Sequence, residues 1–98
     1  MERKEARHLL RALLLKGSVA YSDHASMRMA ERKFTAQDVM RALNGGVMVE
    51  GPTPAKKVKG FECVMHTQLD DCRILEVPIV VDEAAGRIIV KSVVRKQG

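Results

Sequence analysis

The hydrophobic period of this chain changes once, at Gly45–Gly46, and that change constrains the fold more than any other feature. N-terminal to it, apolar residues have helical spacing. Over residues 2–16, Ala6, Leu9, Leu10, Leu13 and Leu14 recur at i, i+3, i+4 and i+7, while Lys4, Arg7 and Arg11 fall on the other side, with Leu15 among them. Gly17 is placed to end that helix. "VAYS" (19–22) reads as a short extended link, and Ser22 or Asp23 caps a second helix over 23–33. A third helix starts at Thr35. Thr35 and Asp38 form a weaker variant of the capping box, and Phe34 and Val39 have the spacing of a hydrophobic staple. Val39, Met40 and Leu43 supply its apolar side, and "NGG" (44–46) ends it.

After Gly46 the spacing is that of strands. "VMVE" (47–50) reads as a short strand and "GPTPAKKVKG" (51–60) as a loop with two prolines and three lysines. Longer strands are predicted at 61–69, 72–81 and 87–95, with "DD" (70–71) and "EAAG" (83–86) as hairpin connections. Pro78 inside the second of these implies an edge position or a bulge. Helices first and strands afterwards predict an α+β fold, with the helices packed on one face of a small, mostly antiparallel sheet. The 98 residues suffice for one small domain, 1–98.

Composition narrows the function classes. "LLRALLL" (9–15) is interrupted by Arg11 and too short to span a membrane. "MERKEAR" carries acidic residues and runs straight into a helix, unlike a signal or transit peptide. Two cysteines without framework spacing suit a reducing cytoplasm. A net charge of +5 favours an anionic partner, nucleic acid or acidic protein, without choosing between them. Tyr21, Phe34 and Phe61 are too few for a base-stacking platform.

One stretch concentrates chemistry. At about 100° per residue, His24, Arg28, Glu31 and Arg32 share an arc of the second helix, and Met27, Ala30 and Phe34 cluster elsewhere, where they are expected to face the core. Such a polar arc is ordinarily a solvated face whose arginines pair with a carboxylate such as Glu31. Here it also holds a histidine in the first turn, where the helix N-terminus favours anions. Two guanidinium groups on the same stripe grip phosphate oxygens. A proton-transfer group beside paired cations is what phosphodiester cleavage needs.

The stretch "YSDHASMRMAERKFTAQDVMRALNGG" resembles the core motif of a family of small bacterial domains of unknown function: Ser-x-His-Ala-x-x-Arg-Met-x-x-Arg, then Asp-Val, Leu and Gly. Ser22, His24, Ala25, Arg28, Met29, Arg32, Asp38, Val39, Leu43 and Gly46 stand in matching positions. That family resembles the RelE/ParE and MqsR toxins, whose folds pack N-terminal helices on a small antiparallel sheet. The resemblance implies metal-free cleavage of RNA, no cofactor, an antitoxin partner, and His24, Arg28 and Arg32 as the site.

Strand 61–69 adds further candidates. Alternation puts Phe61, Cys63, Met65 and Leu69 on one side and Glu62, His66 and Gln68 on the other. In 87–95, Arg87, Lys91 and Arg95 share a side with Ile89 and Val93. Glu62, His66, Lys91 and Arg95 on one open face make either a solvated surface or a second polar patch, with His66 and Lys91 as catalytic helpers. Lys56, Lys57 and Lys59 either hold an RNA backbone or keep the loop soluble. Cys63 and His66, three apart on a strand, point to opposite faces, so with Cys72 they make no metal site, and a hairpin turning at 70–71 separates Cys72 from Cys63.

Two functions are therefore expected. The first is a toxin-like, metal-independent endoribonuclease of a toxin–antitoxin pair, with His24 as general acid or base and Arg28 and Arg32 on the scissile phosphate. The second is a non-catalytic toxin-like module that binds protein or nucleic acid through the same helix, with His24 buried and the arginines paired with Glu31 or Glu50.

Overall fold

A computed structural model describes residues 1–96. They form helices α1 (Arg3–Lys16), α2 (Asp23–Arg32) and α3 (Ala36–Gly45), and strands β1 (Ser18–Tyr21), β2 (Val47–Pro54), β3 (Gly60–Gln68), β4 (Ile74–Asp82), β5 (Arg87–Val90) and β6 (Val94–Lys96). The fold is α+β, a six-stranded, mostly antiparallel sheet with helices packed against one face. The strand order is β1-β5-β4-β3-β2, and β6 pairs with β4.

Local chemistry sets the helix ends. At α3, Thr35 Oγ1 accepts from the Asp38 N–H at 3.1 Å and Asp38 Oδ2 accepts from the Thr35 N–H at 2.9 Å, so Asp completes the capping box. Gly46 joins α3 to β2 where only glycine fits, because a Cβ there would lie 2.3 Å from the Ala42 carbonyl oxygen and 2.6 Å from that of His66. The covered face carries the core: Phe61, Cys63 and Met65 on β3, Leu75, Val77, Ile79 and Val81 on β4, Ile88 and Val90 on β5, under Leu10, Val39 and Leu43.

Several segments differ from the sequence reading. "VAYS" is not a link: residues 18–21 form an edge strand parallel to β5, with Ser18 opposite Arg87 and Tyr21 opposite Val90. A pairing across some seventy residues leaves no local signal. β2 runs through Gly51 to Pro54, with register shifts at Met48–Glu50 and Glu50–Thr53, so the loop begins only at Ala55. The expected strand 87–95 is two strands. Ile79 pairs with Val90 and Glu76 with Val94, so three steps back along β4 match four steps forward along the partner. That extra residue is a bulge. Pro78 faces it: its carbonyl accepts from the Lys91 N–H at 2.9 Å, and a residue's N and C=O point to the same side. The missing proline donor thus falls where the ladder is already interrupted, and Pro78 sits in a central strand rather than at an edge.

Candidate functional site

Helix α2 is fastened at both ends. Ser22 Oγ accepts from the Ala25 N–H at 3.0 Å and donates to the Lys91 carbonyl at 2.9 Å, while the Ser22 N–H donates to Val90 O at 3.0 Å. At the other end Arg73 donates to the carbonyls of Arg32 (3.3 Å) and Lys33 (2.9 Å), and its guanidinium lies 4.7 Å from the Phe34 ring centroid. These ties set a rotation that differs from the expected one. Ala25 is buried and Arg28, Met29 and Arg32 are half-buried, whereas Ala30 is exposed and Met27 is 51% exposed. Met27 and Ala30 therefore do not face the core. The reason lies in the sequence: Ala25, Met27, Met29 and Ala30 are spread around the helix, so periodicity does not choose the buried side.

The rotation divides the His24, Arg28, Arg32 stripe. His24 is exposed and makes no hydrogen bond among the described residues. Arg28 Nη1 donates to Glu31 Oε2 at 2.8 Å. Arg32 Nη1 donates to the Val93 carbonyl at 2.6 Å, in the bulged segment. Arg32 thus ties α2 to the sheet.

The sheet's other face is half-exposed and carries the remaining candidates. His66 and Glu76 are directly opposite across β3–β4, with His66 Nδ1 3.1 Å from Glu76 Oε2. An ionised carboxylate only accepts, so in this pair Nδ1 is the donor, which leaves Nε2 without a hydrogen bond among the described residues. Lys96 Nζ lies 3.9 Å from Glu76 Oε1. Further along, Lys91 Nζ donates to Glu62 Oε1 at 2.9 Å, beside a cleft of about 320 Å³ lined by Glu50, Thr53, Val64 and Pro78. Glu62 and His66 are four residues apart on β3, about 13 Å at strand rise, so His66 and Lys91 do not meet at one point. Arg95 is not on this face: it pairs with the buried Leu75, because the bulge flips the alternation and puts Val94 and Lys96 there instead.

Glu76, Arg73 and Lys96 were not among the sequence candidates. A two-residue turn at 70–71 places His66 opposite Leu75. The observed hairpin is one residue longer: Leu69 N–H donates to Arg73 O, Cys72 N–H to Leu69 O, and Cys72 takes the left-handed conformation (φ 69°). That slip brings Glu76 opposite His66. Both cysteines are free; Cys63 is buried and burial pushes its thiol pKa up to about 12, while Cys72 is exposed. Among the described residues, no three His, Cys, Asp or Glu side chains are grouped so as to hold a metal ion, and no helix is long and apolar enough to cross a membrane.

An imidazole paired with a carboxylate, on a sheet whose other face is covered by helices, gives a small α+β fold with a polar, half-open face. Residues 21–95 match the family described as Domain of unknown function (DUF4258), and the chain belongs to that family. No curated protein and no solved structure matches the chain.

Proposed function

We propose that the chain is a toxin-like protein of a bacterial toxin–antitoxin pair that cleaves RNA, a metal-independent endoribonuclease in which a side chain takes the proton of the attacking hydroxyl. The observation that carries this reading is the His66–Glu76 pair. When a 2′-hydroxyl attacks phosphorus it loses its proton to a base, the P–O5′ bond breaks, and the departing 5′-oxygen takes a proton from solvent water. His66 Nε2 serves as the base, because Glu76 holds the ring and sets its tautomer. Lys96 beside it offers positive charge to the phosphoryl oxygens. His24 makes no hydrogen bond that would orient its ring among the described residues, so it takes a binding role. His24 and Arg28 contact the RNA backbone, Lys91 a flanking phosphate, and Arg32 positions α2. The α2 motif, read as resembling a family likened to the RelE/ParE and MqsR toxins, and the helix-on-sheet order expected from that resemblance support the class. An antitoxin blocks this face or adds a strand at β1; the other edge, β2, is closed by Arg3, which donates to the carbonyls of Val49 (3.2 Å) and Gly51 (2.8 Å).

The test is cleavage of single-stranded RNA by purified protein in EDTA, with products ending in a 2′,3′-cyclic phosphate. His66→Ala is expected to lower the rate by roughly 10²–10⁴-fold, and His24→Ala to raise KM with kcat kept. Equal kcat in wild type and His66→Ala removes His66 from the chemistry. A specific observation favours the second reading, a non-catalytic module binding protein or nucleic acid: Arg28 and Arg32 already have partners within the fold. RNA binding without cleavage, with or without divalent ions, decides for it.

A further inference from the structure

A second hollow lies away from the polar sheet face. It is a groove of about 910 Å³ between α1 and the start of β2. Arg3, Lys4, Arg7, His8 and Arg11 line it from α1; at about 100° per residue all five fall within one 140° arc. Arg3 and Arg7 are held there. Arg3 bonds the carbonyls of Val49 and Gly51, and Arg7 that of Gly46 at 3.2 Å. A guanidinium has five donors, so each keeps donors for a ligand while its stem is already ordered. Four cations face two carboxylates, Glu2 and Glu5, in the lining. α1 lies outside residues 21–95, so the cationic wall of this groove comes from a segment beyond the family match.

The groove leads to the candidate site. Val47, on its rim, is 58% exposed and stands directly opposite His66 in the β2–β3 ladder. Opposed residues have Cβ atoms about 5 Å apart. A chain lying along Arg11, Arg7 and Arg3 therefore passes the β2 edge within one strand of His66.

We propose that this groove binds the backbone of single-stranded RNA and feeds it to the His66–Glu76 pair. The choice of RNA among polyanions rests on the function proposed above. The charge pattern fits a phosphate backbone, since the donors are spaced along one helix stripe, and no Phe, Tyr or Trp lines the groove to stack on bases. Binding is thus expected to be salt-sensitive and indifferent to sequence.

Fluorescence anisotropy with a labelled twelve-nucleotide oligouridine, titrated over a range of salt, tests this. Lys4 and Arg11 make no side-chain hydrogen bond among the described residues, so Lys4→Gln/Arg11→Gln spares the fold, which circular dichroism checks. The double variant is expected to bind about tenfold more weakly at low salt, and its log–log salt slope to fall by about 1.4, two charges at about 0.7 each. Lys56→Gln/Lys57→Gln removes the same charge from the β2–β3 loop and is expected to leave both values near wild type. Equal losses in the two variants, no binding by wild type, or tighter binding of a polyglutamate chain of equal charge each overturn the groove. RNA cleavage unaffected by the groove variant overturns the groove and spares the function; groove binding without cleavage does the reverse.

Discussion

Cys63 and Cys72 show how one residue type takes two chemistries. Cys63 lies in the core face of β3, where burial raises its pKa from 9.0 to about 12; Cys72 sits exposed in a turn. At pH 8, a thiol reagent is expected to label Cys72 at once and Cys63 only on unfolding, as mass spectrometry of peptides will show. Stability follows. Between pH 9.0 and 12 the unfolded chain has lost a proton the folded chain keeps, so stability falls as pH rises through that window. Cys63→Val is expected to flatten that fall in denaturant titrations. The two arginines of α2 divide in the same way. Arg32→Ala leaves the Val93 carbonyl without its charged donor and is expected to cost about 1.5–3 kcal/mol. Arg28→Ala breaks only a surface pair with Glu31 and is expected to cost less than about 1 kcal/mol. Equal costs in urea unfolding would remove the distinction between a positioning arginine and one available to a ligand.

At the scale of elements, the β3–β4 hairpin decides what the site contains. Its turn needs a left-handed residue, and Cys72 occupies that position at φ 69° although glycine is the residue suited to it. Cys72→Gly is therefore expected to stabilise the fold by about 1 kcal/mol in denaturant titrations, with the His66–Glu76 register kept. If the variant is less stable, the strain assigned to this turn is absent. The bulge after β5 acts similarly on the neighbouring strand, moving Lys96 rather than Arg95 beside Glu76.

Across the whole molecule, α1 does two tasks. It closes the core through Ala6 and Leu10, and through Arg3 it occupies outward carbonyls of the edge strand β2. Arg3→Ala is expected to open that edge and raise self-association in sedimentation velocity, because unpaired edge groups template strand addition. An unchanged sedimentation coefficient across concentrations would mean that Pro52 and Pro54 alone protect the edge.

Much of this architecture is legible in the residues. Period, caps and turn residues specify α1, α2 and α3, the capping box at Thr35, the places where β3–β4 and β4–β5 reverse and the α+β order, because those signals act within a few residues. Alternation also identifies the covered and open faces of β3, with His66 on the open one. Three things were settled only by tertiary contact. The parallel β1–β5 pairing joins segments too distant for local propensity to register. The rotation of α2 depended on Ser22 and Arg73 because its apolar residues surround the axis. The partners of His66 depended on one-residue shifts in a turn and a bulge. In a sheet of period two, a single residue moves every later side chain to the other face. The sequence alone therefore determined that His66 lies on the open face of β3 and that His24, Arg28 and Arg32 share one helix; the long-range packing decided which residues stand beside them, and so brought Glu76 and Lys96 to His66.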